Sequence, residues 1–181
     1  MTKAEFLRAV QSHAARVAPG ASAVRGRGNA GTAAASREFL RSVSLRRFAV
    51  RDSAIFAAEL DRTTQRLRAV LPRKARHWGL ARKILNIFLR DCLYTTYLSE
   101  AFYLQRAESF LELPLDSITT TELRRAAGRG VLPHWPGVKH VTPALSARFQ
   151  AIAEKEAAAR KIARIHLDAL WWSAGRDTND I

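Results

Sequence analysis

The chain has 181 residues, of which 48% are hydrophobic and 25% charged, with 30 Lys+Arg against 16 Asp+Glu and a formal net charge of +14. That balance fits one globular domain and excludes an apolar-poor disordered chain. A single Cys and a single Met exclude a disulfide framework, a multi-cysteine iron–sulfur cluster and a Cys-rich zinc site, and no apolar run approaches the roughly 20 residues that span a bilayer. What remains is a soluble, basic, intracellular domain. A polyanion, nucleic acid first, is its expected partner.

In chain order, Met1 to about Val17 reads as an amphipathic helix, with Phe6, Leu7, Val10 and Val17 at helical spacing. The stretch to Arg37 holds one acid, Glu5, among Arg, Ala and Ser. That pattern suggests a mitochondrial transit segment as well as a first surface helix. Pro19 to Thr32 is a loop in which Gly26, Gly28 and Gly31 allow close backbone approach, and Arg25 and Arg27 are candidate phosphate contacts. Residues 1–32 are therefore set apart as a flexible N-terminal helix and Gly/Arg loop, and 33–181 as the helical domain.

Helices are predicted over Ser36–Val43, and from an Asp52 or Ser53 cap to Leu71, stopped by Pro72. The most apolar element, Ala81–Leu104, is predicted as one central helix buried on more than one face. Pro114 and Asp116 open a short helix ending near Gly128. Gly128 to Pro143 is irregular. Thr142 followed by Pro143 launches a helix to about Arg160, and a last helix, Ile162–Ala174, is predicted to stop at Gly175. Period-two alternation is lacking, so the predicted fold is all-α, a single compact multi-helix domain.

Two segments carry chemistry. In the first, Trp78-Gly79-Leu80-Ala81-Arg82-Lys83-Ile84-Leu85-Asn86, a glycine and a basic pair sit in the first turns of the most apolar helix. The free amides of a helix start attract phosphate. A partly buried lysine is disfavoured as an ammonium, which makes its amine a usable nucleophile. In the second, Leu113-Pro114-Leu115-Asp116-Ser117, an aspartate stands at a helix N-terminus, where capping amides keep the carboxylate ionised.

Together these segments resemble the helix-hairpin-helix superfamily of base-excision DNA glycosylases. Gly79, Arg82, Lys83 and Asn86 match the hairpin and Arg-Lys motif, and Leu115-Asp116-Ser117 matches the later acidic motif in type. Ala81 stands where a second hairpin glycine is usual, and Trp78 where a proline is usual. The resemblance covers residues 72–128. It implies an all-α glycosylase-like fold and a cofactor-free reaction on an extruded base. Lys83 would attack C1′ of the damaged nucleotide with Asp116 as its carboxylate partner. It also implies DNA contacts at Gly79 and Arg82. Arg25, Arg27 and Lys139 are further candidate contacts, and Trp135 and Trp172 are candidate walls of a base pocket.

Two alternatives come from the same residues. A non-enzymatic basic module would bind DNA or RNA by counterion release. Arg160 and His166 are also spaced like the Arg-x(4–6)-His signature of HEPN-type ribonucleases, although a structural role is the favoured reading of His166. His134 and His140 lack further ligands at zinc spacing, so no metal is expected. Glu59 and Asp61 read as helix surface. The expected protein is a monomer in the cytoplasm or nucleoid, or in the mitochondrial matrix in a eukaryote, with no membrane partner.

Overall fold

The computed structural model describes residues 1–20 and 31–177, with side chains through Trp172. Arg25 and Arg27 lie outside the described residues. Every regular element among the described residues is helical. Eight α-helices are described: α1 (Lys3–Val17), α2 (Thr32–Arg41), α3 (Ser53–Val70), α4 (Trp78–Tyr94), α5 (Thr96–Phe102), α6 (Ser117–Ala127), α7 (Pro143–Ala159) and α8 (Leu167–Asp177). Short 3₁₀ turns join them at Leu45–Phe48, Arg73–Ala75, Leu104–Phe110, Val138–His140 and Arg164–His166.

Local chemistry sets most boundaries. Asp52 Oδ1 accepts the Ala54 and Ile55 amides at 2.8 and 2.9 Å and starts α3. Thr142 accepts the Leu145 amide ahead of Pro143 and starts α7. Both are caps that offset otherwise unpaired amides of a first turn. Helix α2 starts at Thr32 rather than Ser36 and α4 at Trp78 rather than Ala81, and two larger differences lie further along. The long apolar segment is not one helix. At Thr95 the backbone leaves the helical region, and its hydroxyl donates to the Asp91 carbonyl at 2.7 Å. A Thr side chain that bonds back to its own helix competes with continued propagation, so α4 ends and α5 begins anew. At the other terminus the residues before Leu167 form a 3₁₀ turn, and α8 runs through Gly175 to Asp177.

Helix α4 lies at the centre. It packs against α1, α3 and α5, and it buries residues on nearly every face. The larger core gathers around it from α1 to α5 and includes Leu40, Leu45, Phe48, Phe56, Leu60, Ile84, Leu85 and Phe88. Ala14 and Ala15 belong to that core, so α1 is packed into the domain rather than standing apart from it. A smaller core joins α6, α7 and the start of α8 through Leu113, Leu123, Phe149, Ala153 and Leu167. Trp135 packs against both cores and meets Phe149 edge-on at 5.8 Å. No described helix is long and apolar enough to cross a membrane.

Cys92 is fully buried in α4, and burial with the nearby Asp91 charge pushes its thiol well above the ordinary value. Thiolate is the reactive form, so the folded protein should resist iodoacetamide near neutral pH and react once unfolded. Alkylation of native protein at the denatured rate would contradict this placement.

Candidate active site

The chemistry-bearing side chains meet where the two cores join. From α4, Lys83 projects across this seam. Its Nζ is 3.3 Å from Asp116 Oδ2, and both side chains are largely shielded from solvent. Asp116 divides its two oxygens. Oδ1 accepts the Ile118 and Thr119 amides at 2.9 and 3.0 Å and caps α6. Thr119 closes the cap by accepting the Asp116 amide at 2.9 Å and donating its own hydroxyl to the Pro114 carbonyl at 3.0 Å. Oδ2 is left to face the lysine. The carboxylate is thereby held in one orientation by the start of a helix, which also favours its negative charge.

The pair lines a cleft of about 250 Å³. Ile87 and Arg90 follow Lys83 at helical intervals on α4, so the three share one face. Across from them stand Asp168 and Trp172, one turn apart on α8, while Val17 and Ala18 at the end of α1 complete one edge. Asp168 is buried and pairs with Arg90 Nη1. Arg90 also donates through Nε and Nη2 to Asp91 Oδ1 at 3.0 and 2.8 Å, which fixes its guanidinium between two carboxylates.

Asp91, next to Arg90 on α4, is half-buried. Burial pushes its carboxyl above its ordinary value of 3.8, and Arg90 only partly opposes that shift. In the window just above 3.8 the folded protein therefore binds more protons at this site than the unfolded chain. Stability from this group falls as pH rises through that window. Asp91→Asn should flatten that part of the stability–pH curve in denaturant titrations; an unaltered curve would show that the burial is compensated.

Several sequence-predicted residues lie elsewhere. Gly79 is buried, and the Val138–His140 turn covers it so closely that a Cβ would overlap the Val138 carbonyl oxygen. It serves helix-to-turn packing, and a phosphate would have to displace that turn to reach it. Arg82 is also buried. It pairs with Asp61, lies 3.5 Å from Glu112 Oε2 and stacks 4.8 Å from the Trp78 ring centroid. Its charge is committed inside the fold, which corrects its assignment as a surface phosphate contact. Glu59 is likewise buried, accepting the Thr63 hydroxyl at 3.1 Å and pairing with Arg62, so only Asp61 of that couple is exposed.

Trp135 bridges the cores and does not line the cleft, whereas Trp172 does. Lys139 is exposed on the turn over Gly79. Asn86 donates to Glu112 Oε2 at 3.3 Å. His166 is engaged on both ring nitrogens, by the Tyr94 hydroxyl at 2.9 Å and Glu108 Oε1 at 2.6 Å, and Arg160 pairs with Glu156 on its own helix. Both residues have partners other than each other, and the imidazole ties α4 and the Leu104–Phe110 turn to the start of α8. No group of three or more metal-binding side chains occurs among the described residues.

Sequence reasoning passed over Ile87, Arg90 and Asp168. The available signal was helical phase, since residues 83, 87 and 90 fall on one stripe of α4, and 168 and 172 on one stripe of α8. No protein-family model matches the chain, and no curated protein or solved structure compared with it does so either.

Proposed function

We propose that the protein is a DNA-binding enzyme of the base-excision type, a glycosylase with lyase chemistry, in which Lys83 is the nucleophile and Asp116 its partner. The supporting observation is the 3.3 Å approach of Lys83 Nζ to Asp116 Oδ2 at the wall of a cleft of about 250 Å³. A cleft of that size suits one extruded nucleotide rather than a length of polymer. Ile87 and Trp172 offer it apolar and aromatic surface, and Arg90 with Asp168 offers a donor and an acceptor side by side.

The reaction needs a neutral amine, and the Asp116 carboxylate is placed to take the proton that the ammonium gives up. The Nζ lone pair then attacks C1′, and the bond from C1′ to the base breaks, with the electron pair leaving on the base. Asp116 hands the proton it took from the lysine to the departing base, and the carboxylate so restored stabilises the positive charge that develops at the sugar. The substituted nitrogen then gives up a proton to O4′, and the O4′–C1′ bond breaks with its electron pair going to the new O4′ hydroxyl, which opens the sugar and leaves a C1′ iminium on Lys83. The chain's remaining positive charge has the supporting task of holding a phosphate backbone, for which the exposed Lys139 remains a candidate.

The test is borohydride trapping on duplexes bearing oxidised, deaminated or alkylated bases. Hydride reduces the iminium to a stable amine and leaves a covalent protein–DNA adduct. Adduct that forms with the native chain and is lost in Lys83→Gln supports the assignment. Adduct that persists in that variant removes Lys83 from the chemistry. DNA binding without adduct on any lesion would leave a basic binding module.

A further inference from the structure

A second surface lies at the other end of α1 from the cleft. Val17 at the C-terminal end of α1 borders the cleft, while Lys3 and Phe6 in its first turns border a broad groove of about 530 Å³. At 1.5 Å per residue, Phe6 and Val17 are about 16 Å apart along the helix. Arg46, Tyr97, Glu100 and Tyr103 also line the groove.

Its aromatic rings are set for stacking. Tyr97 and Tyr103 are 61% and 56% exposed, high for such large rings. Phe6 buttresses Tyr97 edge-on at 5.0 Å, and Arg106 lies 4.5 Å from the Tyr103 ring centroid. Arg46 lies over Phe102 at 5.9 Å. Lys3 and Arg46 of the lining are exposed, as is Arg106 beside Tyr103, against a single lining acid, Glu100.

Tyr103 carries a further sign. Its φ of 55° and ψ of 40° place it in the left-handed region, where it ends α5 with its amide donating to the Glu100 carbonyl at 3.3 Å. Glycine takes that conformation at a helix end without strain, and a side chain with a Cβ does not. A bulky aromatic kept there, with one ring face under the Arg106 guanidinium and the residue 56% exposed, is accounted for if the ring itself is used.

We propose that this groove binds single-stranded nucleic acid, with bases stacked on Tyr97 and Tyr103 and phosphates held by Lys3, Arg46 and Arg106. Exposed aromatics interleaved with cations are what a strand of unpaired bases needs, since every base has a stacking face and every linkage a charge. Binding here asks nothing of the Lys83 amine, so the groove and the lysine chemistry succeed or fail separately.

The test uses fluorescence anisotropy with a labelled oligodeoxythymidylate of about 12 nucleotides. Tyr97→Ala and Tyr103→Gly should each weaken binding by roughly fivefold or more, the loss expected for one stacked base. Tyr103→Gly should at the same time raise the melting temperature, because glycine relieves the left-handed strain. Loss of affinity with a gain of stability cannot come from damage to the fold. Arg46→Ala should lower the slope of log affinity against log salt by about 0.7, one phosphate contact on a single strand. Both tyrosine variants should still form trapped adduct on saturating damaged duplex if the native chain does. Wild-type oligonucleotide affinity in both variants would overturn the proposal and direct the groove toward a protein partner.

Discussion

Lys83→Gln should abolish borohydride-trapped adduct and still yield a folded protein. Glutamine nearly matches lysine in reach and can donate an amide hydrogen to Asp116 Oδ2, so the seam keeps its polar contact. What it lacks is a nucleophilic amine. The companion change, Asp116→Asn, separates the two duties of that residue. Asparagine caps a helix about as well as aspartate, so α6 should stay anchored through the Ile118 and Thr119 amides. The proton acceptor beside Lys83 is lost, and adduct formation should slow by roughly 10²- to 10⁴-fold. Removing one partner from a fully buried ion pair costs about 3–5 kcal/mol. This pair borders an open cleft, so the loss of stability should be smaller, and thermal melting will measure it alongside the trapping rate. If Asp116→Asn reacts at the native rate, the carboxylate is only a cap.

Both duties were visible in the sequence, and neither excludes the other. Asp116 after Pro114 reads as a cap, and the structure has that cap; it also has the second oxygen turned to Lys83. What the sequence could not convey was which surface α4 turns toward α6. That depends on how two cores meet, and residues distant along the chain decide it. Caps and stop signals at Asp52, Pro72, Thr142 and Pro143 marked helix ends closely, because those signals act within a turn. The break at Thr95 was missed because hydrophobic periodicity runs on through it, while the hydroxyl that ends the helix leaves no trace in hydropathy.

Arg82 shows the opposite error. An Arg-Lys pair reads as a solvated face or a phosphate contact, yet its first member points inward to Asp61, Glu112 and Trp78. Adjacent helical residues diverge by about 100°, so two neighbouring cations necessarily serve different faces. One of the pair was always going to face somewhere other than the cleft. Arg82 joins α3 to α4 from within, and in doing so it fixes the helix on which Lys83, Ile87 and Arg90 project.

Gly79→Ala should be strongly destabilising, against the usual direction for glycine in a helix. In an open helix the change stabilises by about 0.5–1 kcal/mol, since alanine has less freedom to lose. Here the new methyl would overlap the Val138 carbonyl oxygen and stand 2.7 Å from Val141 Cβ. The first obstacle is backbone, so the Val138–His140 turn must move as a unit, and overpacking of this kind costs about 1–3 kcal/mol. The carbonyl oxygen is the closer of the two obstacles, and so deep an overlap puts the cost at the upper end of that range, about 3 kcal/mol; less the propensity gain, the net loss should be about 2 kcal/mol. At about 2–4 °C per kcal/mol for a chain of this size, the melting temperature should fall by roughly 4–8 °C. Two second-site changes locate the clash. Trimming Val138 to Ala leaves its carbonyl in place and should not rescue Gly79→Ala. Val141→Ala removes the methyl groups beyond Cβ and gives the turn room to shift, so it should rescue in part, as a non-additive double-mutant cycle. A phosphate-binding glycine would behave differently: Gly79→Ala would weaken DNA binding and lower its salt slope while leaving the melting temperature level or higher. A stable Gly79→Ala protein with weakened DNA binding would therefore return this glycine to the nucleic-acid interface and remove it from the packing of α4.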